Sequence, residues 1–195
     1  QHQASVLYMI RSNFVKDCMA LHQRVDKIAQ GAALMTETSF ERVFIDGTSE
    51  LLPNFTLEKL MYDNFEKIGV VQHTDEERAF AAELRKTFPP QSAVPGIGAH
   101  FNADIAETVM EKTHDLTEPL NDFLMPYYSG TGFTAGSTDV GDVSWLTPAA
   151  QIETATWPSG MPLHTWQTVA CGKSSIAYKG MLCAGKVMAA SAIDL

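Results

Sequence analysis

Histidine is the side chain best suited to holding a metal or moving a proton near neutral pH, and this chain carries six. His2 sits at one end, His22 lies beside an apolar helical stripe, and His73 precedes a helix cap; all three positions read as structural or solvent-exposed. His100 and Asp104 are spaced to share one helix face and can in principle hold a metal, although such pairs are common by chance. His114 lies among Glu111, Lys112 and Asp115, the composition of a solvated face. His164 differs by context. It follows Ser159-Gly160-Met161-Pro162-Leu163, which has little regular structure of its own, and Trp157 and Trp166 flank it. Two readings fit: a satisfied histidine in an apolar corner, or a ligand or proton carrier on a loop beside a flat apolar surface.

The second chemical feature is Ala135-Gly136-Ser137-Thr138-Asp139-Val140-Gly141-Asp142. Glycine and hydroxyl clusters of this kind usually make turns. They also let the backbone approach a ligand, and their N–H and hydroxyl donors can hold an anion without a net positive charge. The chain contains no GxGxxG, P-loop, HExxH or GxSxG element. Residue chemistry alone therefore reaches an anion-binding loop plus a histidine.

The elements that must position these residues follow from periodicity. Residues 4–10, Ala-Ser-Val-Leu-Tyr-Met-Ile, read as a buried strand, and Arg11-Ser12-Asn13 as a polar break and helix cap. Phe14, Cys18, Leu21, Val25, Ile28 and Ala32 then recur at helical steps, and Ser39–Asp46 alternates as a second strand. Two strands and one helix bury too little to stand alone, so this segment is expected to need strands from elsewhere. A boundary at Pro53-Asn54 precedes a helix that stops at Gly69, and Thr74-Asp75-Glu76-Glu77 is a capping box for another helix ending at Pro89-Pro90. Residues 91–102 read as loop and 103–125 as broken helix. Ala149–Trp157 is the next expected strand, followed by the Pro/Gly-rich loop that delivers His164. The last helix, about 174–195, is rich in small residues that suit close packing on a sheet.

Composition narrows the partners. A chain of 195 residues with 45% hydrophobic and 19% charged side chains is an ordinary globular sequence. Its 14 basic and 23 acidic side chains give a net charge of −9, which disfavours nucleic acid and anionic membrane surfaces. The uninterrupted apolar runs are too short to span a bilayer. Three cysteines without CxxC spacing suggest free thiols in a reducing, cytoplasmic setting. The first residue is Gln, without a signal-peptide pattern after it, and the apolar pattern runs on to Leu195; both ends read as cuts in a longer chain.

Ala135–Asp139 is similar to the Gly-Gly-Thr-Ser-Asp loop of the dinuclear-zinc aminoacylase and carboxypeptidase amidohydrolases. Gly160–His164 is similar to the element carrying their last metal-binding histidine. Lys27–Met35, Gly136–Trp145, Pro162–Trp166 and Gly172-Lys173 resemble one branch of that family, and the likeness covers essentially the whole chain. It implies an α/β fold: residues 1–53 as the second half of a βαββαβ lid that mediates dimerisation, and 54–195 as the C-terminal part of a mixed-sheet catalytic domain. It also implies a metal-dependent hydrolase of an N-acyl- or N-aroyl-glutamate such as p-aminobenzoyl-glutamate. Two divalent ions, zinc or manganese, would activate a water, with a general-base glutamate and the other metal ligands upstream of Gln1.

On the same resemblance His164 is a metal ligand, and Gly136, Ser137 and Thr138 hold the substrate carboxylate. Asp139 orients their loop, Arg11 faces that carboxylate across the cleft, and Trp166 suits an aromatic acyl group. Thr165-Trp166-Gln167 follow His164 where many relatives have an acidic residue, so substrate preference is expected to differ. The implied partners are the acyl-glutamate, a second copy through the lid, and a second hydrolase subunit. The rival reading is a non-catalytic dimerisation and substrate-holding module, the behaviour expected of this chain in isolation.

Overall fold

The structure is a computed structural model and describes residues 2–89, 118–127 and 136–195. Among them are six helices: α1 (Val15–Met35), α2 (Phe55–Ile68), α3 (Asp75–Arg85), α4 (Val140–Ser144), α5 (Trp166–Cys171) and α6 (Ser175–Asp194). Two compact units divide them. One takes the described residues of Gln1–Pro53 with those of Ala135–Ala149; the other takes those of Asn54–Thr134 and Ala150–Leu195.

No β-strand occurs among the described residues, so the α/β expectation, with its partial βαββαβ lid and mixed-sheet domain, is overturned. The segments expected as strands, 4–10, 39–46 and 149–157, are neither helical nor paired. Side-chain alternation reports which residues suit a pleated surface, but a strand exists only when its N–H and C=O groups meet a neighbouring ladder. Without a ladder the apolar side chains stay in solvent: Met9 is 79% exposed and Ile45 74%.

In the first unit, α1 is amphipathic but shallowly packed, with no buried residue. Cys18, Leu21 and Val25 of the expected stripe are half-buried, whereas Phe14 and Ile28 are exposed. His22, Asp26 and Ala29 are half-buried instead. The facing chain explains the shift: His22 meets the Phe44 ring at 6.2 Å, and Asp26 pairs with Arg42 at 3.3 Å. The expected cap at Ser12-Asn13 is not used. Phe14 is the N-cap residue, and the Val15 N–H donates instead to the Glu50 side chain at 2.9 Å. The helix ends without glycine: Glu37 turns left-handed (φ 52), Thr36 Oγ1 donates to Ala32 O, and Thr38 N donates to Ala33 O.

Local signals were followed closely in the second unit. Asn54 caps α2 by accepting from Leu57 N at 3.0 Å, and Gly69 stops that helix at φ 80. The Thr74–Glu77 capping box forms in full at the start of α3. Ala81, Leu84, Phe88, Leu120, Met161, Cys171 and Ile176 make the core.

Helix α6 is by length and composition apolar enough to cross a membrane, although no single uninterrupted run in it is long. It buries the stripe Ile176, Gly180, Cys183, Val187 and Ser191 and packs on α2. There Asn64 Nδ2 donates to Asp194 Oδ2 at 3.0 Å. Of its small residues Gly180 serves a close approach, to residues 155 and 156 and not to a sheet, whereas Gly185 faces open space. At Gly180 an added Cβ would lie 2.4 Å from Ala155 O, and Thr154 Oγ1 donates to Gly180 O at 3.0 Å.

Candidate functional site

Two groups of expected site residues fall in different units. In the first unit, Arg11 Nη2 donates to Ser137 Oγ at 3.1 Å, and both residues are exposed. Their contact joins positions 126 apart in sequence. One guanidinium donor is spent on Ser137, while the Ser137 hydroxyl that accepts it keeps its own hydrogen to donate. A cation and a hydroxyl donor side by side on an exposed edge suit an anion of carboxylate size.

The loop around Ser137 is built by its own short-range bonds. Thr138 Oγ1 accepts from Val140 N at 3.4 Å and Thr138 O from Gly141 N at 3.1 Å, which closes the turn into α4. The Thr138 hydroxyl hydrogen is not consumed by that bond. Asp139 occupies the N-cap position of α4 with helical dihedrals, and its side chain makes no capping hydrogen bond. Gly136 and Asp139 are exposed like Ser137 and Thr138. Ala135 and Ser129–Gly132 lie outside the described residues.

Helix α4 is fastened to residues 49–52 by side chains that serve backbone groups. Asp142 Oδ1 accepts from Ser49 N at 2.9 Å, Ser144 Oγ accepts from Leu52 N at 2.9 Å, and Trp145 Nε1 donates to Glu50 O at 2.9 Å. Gly141 is buried at the closest point, where an added Cβ would lie 2.1 Å from Ser49 O. Hydrogen bonds from the Ser49 hydroxyl and amide hold the Asp142 carboxyl below its ordinary range. Sequence reading did not single out Glu50, Gly141 or Asp142 for this task. The available signal was weak: a glycine followed by an aspartate inside a short helix, with no hint of the distant partner.

In the second unit His164 stands exposed on its loop in a left-handed conformation, φ 59. A non-glycine residue there carries about 1–2 kcal/mol of strain, so the surrounding loop must hold it. Gly160 is also left-handed (φ 71), and Pro158, Ser159 and Met161 beside it are buried. Ser159 N donates to Pro119 O at 2.9 Å, Ser159 Oγ bonds Asn121 Oδ1 at 2.7 Å, and Thr165 Oγ1 donates to Pro162 O at 3.0 Å. Beyond the histidine, Gln167 is buried and donates to Thr87 Oγ1 at 3.1 Å. His164 is thus presented outward from an anchored loop, with Leu163 and Trp166 exposed on either side. Trp157 belongs to this same unit, whereas Trp145 belongs to the first and bonds Glu50 there.

Among the described residues no group of three or more His, Cys, Asp or Glu side chains could hold a metal ion. His164 is a single donor, and a tetrahedral zinc site takes three or four, so the described residues do not make a metal site by themselves. His100, Asp104 and His114 lie outside the described residues. Cys18 is half-buried and Cys171 and Cys183 are buried, and none of the three is in a disulfide.

Another polar centre, not anticipated as such, lies in the second unit. The His73 side chain is fully buried, with no hydrogen-bond partner on either ring nitrogen, and its Nδ1 is 3.6 Å from Glu77 Oε2. Burial pushes the His73 pKa down, with the Lys179 and Arg78 charges adding to it and Glu77 opposing. For Glu77, burial pushes upward. Hydrogen bonds from Lys179, Ser175 and Thr74 outweigh it and hold the carboxyl at about 2.

No family model matches the chain, and no solved structure does. The resemblance carried by Lys27–Met35, Gly136–Trp145 and Pro162–Trp166 nevertheless extends over all of it. Across its full length the chain is 42% identical to a p-aminobenzoyl-glutamate hydrolase subunit of Escherichia coli (strain K12), of which it spans 40% of the length.

Proposed function

We propose that this chain is part of a metal-dependent amidohydrolase that cleaves the amide bond of an N-acyl- or N-aroyl-glutamate, p-aminobenzoyl-glutamate above all. In that reading Arg11 and Ser137, with Thr138 and the Gly136 backbone beside them, take the substrate's carboxylate. The single observation that carries it is the 3.1 Å Arg11–Ser137 contact, which assembles a cation and a hydroxyl donor in a chain of net charge −9. An acidic protein repels a carboxylate at long range, so its binding needs local donors of this kind. The name of the relative, a p-aminobenzoyl-glutamate hydrolase, supports the substrate class.

The remaining assignments belong to the same proposal. His164, held outward by its anchored loop, is one ligand to a pair of divalent ions, zinc or manganese, whose other ligands and general-base glutamate are contributed by residues outside this sequence. A metal pair would supply Lewis-acid activation of the scissile carbonyl and of a water. Exposed Trp166 offers a flat face to an aromatic acyl group. Dimerisation through the 1–53 region is supported by the exposed apolar side chains of 4–10 and 39–46. A second hydrolase polypeptide is supported by the relative's name, which designates it as one subunit of its enzyme. Three free thiols are in keeping with a cytoplasmic enzyme.

The test is Arg11→Ala in the intact enzyme that contains this chain. KM for p-aminobenzoyl-glutamate should rise by about tenfold or more, the factor lost with one charge-assisted hydrogen bond, with a smaller change in kcat. An unchanged KM would remove the carboxylate role from Arg11.

A further inference from the structure

We propose that Asp142 and Gly141, acting with Glu50, are positioning residues that set the spacing between Arg11 and Ser137 and thereby the affinity for the substrate's carboxylate. This inference rests on the carboxylate-binding reading above and names what controls it. The contacts form a closed circuit within one unit. Ser137 leads into α4; α4 is fastened to residues 49–52 by Asp142, Ser144 and Trp145. The Glu50 side chain reaches from that segment to the Val15 N–H at the start of α1. Arg11, four residues earlier in the chain, closes the circuit on Ser137.

Arg11 and Ser137 are themselves exposed, and an exposed polar pair has little of its own to hold its geometry. Fixing both ends to the same short segment supplies that constraint. Gly141 limits the approach, because a Cβ there would lie 2.1 Å from the Ser49 carbonyl oxygen and would force α4 outward. Asp142 fixes the register by accepting from the Ser49 amide. A shift of α4 moves Ser137, three residues before it, relative to Arg11. None of these residues needs to touch substrate, so their effect should fall on binding and only weakly on turnover.

The experiment measures kcat and KM for p-aminobenzoyl-glutamate in the intact enzyme for D142A, D142N, G141A and R11A, with the double variant D142A/R11A; circular dichroism and thermal melting check folding. D142A and G141A should each raise KM by about tenfold, the cost of one lost or displaced charged hydrogen bond, with kcat within about twofold. D142N keeps an acceptor oxygen for Ser49 and should recover most of the lost affinity. In the R11A background D142A should add nothing further, since both act on the same contact. If R11A raises KM while D142A and G141A do not, the positioning role is overturned and the carboxylate reading stands. Equal, multiplicative effects of D142A with and without Arg11 also overturn it, because Asp142 then acts elsewhere. If R11A leaves KM unchanged, the carboxylate reading itself falls. Should D142A fold poorly, G141A and D142N decide by the same comparison with R11A.

Discussion

Lys179 on α6 donates to Glu77 on α3 at 2.7 Å, and the carboxylate it reaches is only 8% exposed. The same Glu77 accepts from Thr74 N at 2.8 Å to complete the capping box. One carboxylate therefore both caps its own helix and fastens it to a second, with the ring of His73 packed beside it.

The pH dependence of folding follows from that arrangement. Burial alone would raise the Glu77 carboxyl, but its donors hold it at about 2 against an ordinary 4.5. A depressed carboxylate stabilises the fold fully above its unfolded value and loses that contribution as pH falls through the folded one. Stability should thus drop between about pH 5 and pH 2, by on the order of 3 kcal/mol for this group. Lys179→Met should raise the midpoint of acid unfolding and cost about 1–3 kcal/mol at neutral pH, since it leaves a buried carboxylate short of a partner. Urea unfolding at several pH values measures both.

His73 gives an earlier stage. Its pKa is lowered from 6.5, chiefly by burial, so the folded state takes up its proton later than the unfolded chain. The sign is that stability is complete above pH 6.5 and begins to fall below it. His73→Leu removes both unpartnered ring nitrogens and should leave neutral-pH stability unchanged or higher by about 1 kcal/mol. It should also erase the decline that begins below pH 6.5. A variant that unfolds at neutral pH would contradict this account.

At Gly180 the backbone sets the limit. Gly180→Ala places a methyl group 2.4 Å from Ala155 O, and the atom it meets is backbone. The expected cost is about 1–3 kcal/mol by overpacking, despite alanine's better helix propensity. Gly185 on the same helix has open space at its Cβ position, so Gly185→Ala should be neutral or stabilising by about 0.5–1 kcal/mol. Comparing their melting temperatures separates packing from propensity.

For His164 two substitutions divide conformation from chemistry. His164→Gly relieves the left-handed strain, whereas His164→Ala keeps it. If the imidazole is a metal ligand, both variants of the intact enzyme should lose bound metal and hydrolysis alike. Metal content measured by atomic emission, unchanged in both, would discard the ligand role. The isolated chain should show no hydrolysis above background.

What could be seen in the sequence was what adjacent residues decide among themselves. The Gly69 stop and the Thr74–Glu77 box need only a few neighbours, and each formed as read; the Asn54 cap, equally local, read only as a boundary. Segments 4–10, 39–46 and 149–157 had strand-like side chains, but pairing depends on a distant backbone that composition does not report. Helix α1 kept its place while its packed face rotated, because Phe44 and Arg42 lie across from His22 and Asp26. Arg11 and Ser137 came together only through family likeness, and their spacing alone held no hint of contact. His73 read as structural or solvent-exposed; what its position did not disclose was Lys179, far along the chain, completing a buried charged centre around it.

The first unit is assembled from two stretches of chain, with Asn54–Thr134 of the other unit between them. A ribosome emits those stretches in order, so α1 and residues 49–52 leave the exit tunnel long before the segment that fastens them is made. Until Asp142 and Ser144 emerge, the amides of Ser49 and Leu52 have only water to bond. Closure of that unit is a late and long-range event in the birth of the protein, slower than the local helices of its neighbour. Its apolar segments 4–10 and 39–46 stand open to whatever binds nascent chains during that interval and stay exposed after it.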